Sequence, residues 1–134
     1  MLSPMPRYFP LDMPLAFDCV RSDLLRFDWQ QRAADFSIPD DEEHILRVTF
    51  NADVIARLLD EMPLSIETDP STNEGLVPHH FAYRVEGAPF SESQPEDWRI
   101  VLGTLKHFQF VTGWGCLDVL TKGEPQFAVV LDRG

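Results

Sequence analysis

From residue 44 onward, short runs of alternating apolar and polar side chains recur, and they limit the fold more than any other feature of the chain. HFAYRVE at 80–86 sets Phe81, Tyr83 and Val85 on one side and His80, Ala82, Arg84 and Glu86 on the other. HILRVTF at 44–50 alternates Leu46, Val48 and Phe50 with Ile45, Arg47 and Thr49, and KHFQFVT at 106–112 opposes Phe108 and Phe110 to His107 and Gln109. A period of two belongs to a strand with one buried face. CLDVLT and QFAVVLD, joined across KGEP, read as a further hairpin that ends the chain.

Two intervening stretches have helical spacing instead. After Asn51, a residue suited to capping, Val54, Ile55, Leu58, Leu59 and Met62 recur on one face until Pro63, with Asp53 in the first turn. Ser93 and Glu96 have capping-box spacing around Pro95, and Trp98, Val101, Leu102 and Leu105 follow at i, i+3, i+4 and i+7. LSIET at 64–68 reads as a short strand and DPSTNEG at 69–75 as a loop. Two successive strand-helix-strand units with an added hairpin predict an α+β fold. The expected architecture is a two-layer sandwich, ferredoxin-like or related, with two main helices on one face of a mostly antiparallel sheet and an extra C-terminal hairpin. Residues 24–36, LLRFDWQQRAADF, fit a helical stripe of Leu25, Trp29, Ala33 and Phe36 and equally a strand alternation of Leu25, Phe27 and Trp29. PDDEE at 39–43 reads as a charged turn.

The 134 residues suit one domain, 1–134, in which residues 1–14 hold Pro4, Pro6, Pro10 and Pro14 and favour an extended arm. Neither an unbroken signal-type apolar core nor an 18-residue apolar run occurs, so the chain reads as soluble and cytoplasmic. Cys19 and Cys116, far apart and without a CxxC, read as packed thiols of a reducing compartment. Charge excludes more than it assigns: 22 acidic against 11 basic side chains give a formal net charge of −11, with no basic cluster. Phosphate backbones and anionic membrane surfaces are both disfavoured partners on that account.

Catalytic signatures are missing. The sequence holds no GxSxG elbow, no GxxxxGK[ST] phosphate loop, no GxGxxG turn and no HExxH or HxxxH spacing, so neither a metal nor a cofactor is expected. The adjacent His79 and His80 point to opposite faces of a regular strand and do not both reach one metal. What remains is a polar sheet surface of His80, Arg84, His107 and Gln109, with Trp114 and Cys116 in the GWGCLDV turn as further ligand or interface candidates. Cys116 near a histidine would make a nucleophile; as a small buried hydrophobe it would make none.

Two functions of different class follow. The favoured one is a small acidic interaction domain that binds a basic protein partner or a second copy of itself as a homodimer, an inhibitor or immunity-type protein being one version. The other is a small-molecule or enzymatic domain using a cleft around His80, Arg84 and His107 with Cys116. Gathering of these side chains in one pocket would favour the second, and their dispersal the first.

Overall fold

The computed structural model describes residues 7–60, 75, 77, 80–87 and 105–132. In chain order the strands are β1 (Arg7–Pro10), β2 (Leu24–Asp28), β3 (Ala33–Ile38), β4 (Asp41–Phe50), β5 (Val54–Asp60), β6 (Ala82–Glu86), β7 (Lys106–Val111), β8 (Gly115–Thr121) and β9 (Pro125–Leu131). They form two sheets, one of order β1-β6-β7-β8-β5 and one of order β2-β3-β4-β9, and every pairing is antiparallel. The α+β expectation with two main helices is thus overturned: a single 3-10 turn at Cys19–Arg21 is the only helical element among the described residues. None of those residues belongs to a helix long and apolar enough to cross a membrane.

The segment after Asn51 shows how the misreading arises. Val54, Ile55, Leu58 and Leu59 carry a helical stripe, yet the chain pairs with β8 without a break from Val54↔Thr121 to Asp60↔Gly115. Helical propensity is a weak prior, and a seven-residue helix is unstable unless its apolar face is packed. The strand gains a full ladder and turns Val54 and Ala56 onto the core. The second expected helix, from Ser93 through Trp98, Val101 and Leu102, lies outside the described residues, as do the expected strand at 64–68 and all of 69–75 except Gly75. Residues 24–36 resolve into two strands, β2 and β3, joined by a turn in which Arg32 takes a positive φ of 51°.

β8 and β9 do not form the hairpin that the sequence suggests. β8 pairs with β5 and β7, whereas β9 pairs with β4 in the other sheet. The chain therefore crosses between sheets twice at one corner, at 51–53 from β4 to β5 and at 122–124 from β8 to β9. Close approach there uses Gly123, where a Cβ would stand 1.9 Å from Asn51 Oδ1. The inward faces share one core of Ala34, Phe36, Leu46, Val48 and Phe50 from the smaller sheet with Ala82, Phe108, Phe110, Leu117 and Val119 from the larger. Leu11, Met13, Leu15 and Phe17 of the segment after β1 pack against that core.

Candidate functional site

The alternation of β7 and β8 puts His107, Gln109, Cys116 and Asp118 on the face of the larger sheet that points away from the core, and Arg57 on β5 joins them because it aligns with Asp118. Asp118 is the hub. Its Oδ1 accepts from His107 Nε2 at 2.7 Å and Gln109 Nε2 at 3.0 Å, and its Oδ2 accepts from Arg57 Nη2 at 2.7 Å and Nε at 3.2 Å. The Cys116 thiol donates to Oδ2 at 3.7 Å. Asp118 is fully buried, and His107, Gln109 and Cys116 are each at most 6% exposed. Burial alone would push the Asp118 carboxyl up, but the hydrogen bonds and charges of His107 and Arg57 outweigh it and hold the group below the usual carboxylate range.

That constellation has the residue types of a catalytic site and the geometry of a buttress. Both carboxylate oxygens are occupied by donors, and the charge of Asp118 is matched by Arg57. The Cys116 thiol donates to the same Oδ2 that accepts from Arg57, so it is one more donor to the carboxylate. No group of three or more His, Cys, Asp or Glu side chains is arranged to hold a metal among the described residues.

The other expected members stand elsewhere. Arg84 aligns with Phe108, whereas Val85 aligns with His107, so Arg84 lies on the opposite face from His107 and Gln109. Its guanidinium sits 4.3 Å above the Phe9 ring and pairs with Glu86. His80 donates from Nε2 to Leu11 O at 3.0 Å and meets Tyr83 edge-on with ring centroids 5.2 Å apart. It borders a cleft of about 470 Å³ among Met13, Leu15, Phe17 and Phe81. His79 lies outside the described residues. The structure thus brings together His107, Gln109 and Cys116 and leaves His80, Arg84 and Trp114 in separate places.

Trp114 marks a different feature. It rides the β7–β8 turn at 72% exposure, with its backbone N–H donating to Thr112 Oγ1. The turn is pressed against the 3-10 turn so closely that a Cβ on Gly113 would stand 2.0 Å from Val20 O. Beside it, between the edge strands β2 and β5 of the described sheets, lies a groove of about 190 Å³. Leu24 and Phe36 line it from one sheet and Leu58, Cys116 and Leu117 from the other, with Asp23, Thr112 and Trp114 beside them. Leu58 is 65% exposed although it shares the inward parity of Val54 and Ala56.

Asp118, Arg57 and Leu58 are the residues that sequence reasoning did not single out. A signal existed for the first: one acid enclosed by Leu117 and Val119 in a strand needs a buried partner. Arg57 and Leu58 were hidden inside the expected helix. Comparison of the chain with protein-family models, with curated proteins and with solved structures gives no match.

A second buried acid supplies a pH expectation together with Asp118. Asp35, 4% exposed, accepts from Arg26 Nε and Arg47 Nε at 2.8 Å each. Burial opposes its charge, but the two arginines hold its carboxyl below the ordinary range. For groups lowered on folding, the stabilisation is fully present above the unfolded value of roughly 3.9 and is lost as pH falls through the folded value. Urea midpoints are expected to drop steeply only below about pH 4, and Asp35→Asn to flatten that acid limb. An unchanged acid limb in Asp35→Asn would show that the Arg26 and Arg47 contacts do not persist in solution.

Proposed function

We propose that the chain is a non-catalytic interaction module that docks a basic protein segment in the groove between β2 and β5. The observation that carries this reading is the placement of Leu58 and Trp114, two large apolar side chains left 65% and 72% exposed beside a groove with an apolar floor. Exposed aromatic and aliphatic groups beside a pocket are the usual anchors of a protein interface, and Trp is enriched among the residues that carry binding energy. The net charge of −11 selects a basic partner and speeds its encounter. Support for interaction over catalysis comes from the polar side chains of catalytic type, which are buried around an Asp118 carboxylate whose two oxygens both accept hydrogen bonds, while the large exposed side chains at the groove, Leu58 and Trp114, are apolar. The buried thiols of Cys19 and Cys116 suit a reducing, cytoplasmic setting.

The test uses a dye-labelled amphipathic peptide of leucine and lysine, with a leucine and glutamate peptide as control, read by fluorescence anisotropy. The basic peptide is expected to bind more tightly at low salt than at high salt, and Trp114→Ser and Leu58→Ser each to weaken it about tenfold or more. Both variants should keep the urea midpoint of the parent, since neither side chain is in the core. Equal affinity for the two peptides, or indifference to both substitutions, would contradict the reading.

A further inference from the structure

Among the described residues four strands form the edges of the two sheets, and three of them carry devices that discourage pairing with another chain. β1 contains Arg7 and ends on Pro10. β2 is interrupted by a bulge between Leu24 and Arg26 and carries Arg26 and Asp28. β5 carries Arg57. Charges, prolines and bulges of this kind are how edge strands avoid each other. β9 is protected least: after the Pro125 that opens it, Gln126 to Leu131 is QFAVVL, without a charge, a further proline or a break in its register with β4. Val129 and Leu131 are 45% and 53% exposed on it.

The direction of its free hydrogen-bonding groups is fixed by one contact. Asp132 donates its N–H to Glu43 O at 2.8 Å, so the ladder bonds between β9 and β4 fall at Asp132 and then at every second residue, Val130, Ala128 and Gln126. Phe127, Val129 and Leu131 therefore direct their N–H and C=O groups to the outer edge. We infer that β9 pairs antiparallel with β9 of a second copy about a two-fold axis at Val129, joining two four-stranded sheets into one. In that register Val129 opposes its own mate and Phe127 opposes Leu131 of the second copy, which matches outward groups with outward groups and makes about six backbone hydrogen bonds. Phe127, Val129 and Leu131 also share one side of the strand, so their side chains form a continuous apolar stripe across the junction.

Charge is compatible with a second copy at this edge. Each chain carries a formal −11, and two copies repel wherever carboxylates meet. Across the β9 pair the nearest acid, Asp132, opposes Gln126 of the second copy, and it is already bound to Arg26 Nη2 at 3.0 Å. Self-pairing is accordingly strengthened by added salt, whereas docking of a basic segment in the groove is weakened by it. The two surfaces are separate, and either stands if the other fails.

Light scattering across the micromolar range at high salt is expected to give a dimer mass, twice that of the 15.4 kDa chain. Val129→Pro removes an N–H that points outward and leaves the ladder to β4 intact, so it is expected to give a monomer with an unchanged fold by circular dichroism. Should that variant fold poorly, Val129→Cys decides by itself. Under mild oxidation it is expected to cross-link two chains through position 129, while Gln126→Cys, which faces Asp132 in the pair, does not. A monomeric parent over the whole concentration range would overturn the inference, as would a dimer that survives Val129→Pro and gives no cross-link at 129.

Discussion

Replacing Asp118 with alanine is expected to cost about 3–5 kcal/mol of folding stability, because the change removes the one acceptor shared by several buried donors. His107 Nε2, Gln109 Nε2 and Arg57 all lose this acceptor at once, and Arg57 loses the carboxylate charge that faces it. Asp118→Asn retains an acceptor oxygen of nearly the same shape but no charge, so it is expected to fall between the parent and Asp118→Ala. Urea unfolding at neutral pH reads this order directly. If Asp118→Ala had the same midpoint as the parent, the cluster would not be holding β5, β7 and β8 together.

A comparable loss, about 3–5 kcal/mol, is expected for Phe110→Ala. Phe110 is fully buried where the two sheets meet, with ring centroids 5.7 Å from Phe81, 6.0 Å from Phe36 and Phe50, and 6.3 Å from Phe127. Three of those partners come from β3, β4 and β9, so truncation opens a cavity across the interface of the sheets rather than within one of them. Since a domain has only about 5–15 kcal/mol of stability in total, the variant should sit near the edge of folding. Trp114→Ala, by contrast, is expected to stay within about 0.5 kcal/mol of the parent. A small effect of Phe110→Ala would mean that the sheets do not pack face to face through this ring.

The strands were legible where one chain segment decides its own fate. HILRVTF, HFAYRVE and KHFQFVT alternate, CLDVLT and QFAVVLD are rich in strand-forming residues, and each overlaps a strand of the structure. What the segment cannot encode is its partner. The stripe of Val54, Ile55, Leu58 and Leu59 suits a helix locally, and only pairing with β8, some sixty residues onward, makes it a strand. The β8–β9 linkage has the length of a hairpin loop, yet the two strands find different neighbours.

The same limit governs the polar residues. That His107 and Gln109 share a face follows from β7 alone. That Arg84 is on the other face depends on its alignment with Phe108, a matter of register between strands. His80 stands before the first residue of β6, where strand alternation no longer dictates direction. Cys116 and Asp118 lie two apart on β8, so their common face was readable, but the arginine that completes the cluster comes from a strand read as a helix.

The central claim is that the cluster around Asp118 is structural and that the working surface is the groove between β2 and β5, which meets the cluster only at the buried Cys116. Labelling of native protein with a thiol reagent tests this most directly, because Cys116 is both a member of the cluster and its chemical probe. Burial pushes the Cys19 thiol up to about 11, with Asp18 adding to the shift, so that thiol is expected to be inert in the folded state and to serve as an internal reference. The account predicts that Cys116 also reacts roughly a hundredfold or more slower in the folded than in the urea-unfolded protein, at the rate set by unfolding. Rapid modification of Cys116 in the native state, with Cys19 still protected, would contradict it and return the cluster to consideration as an open reactive site.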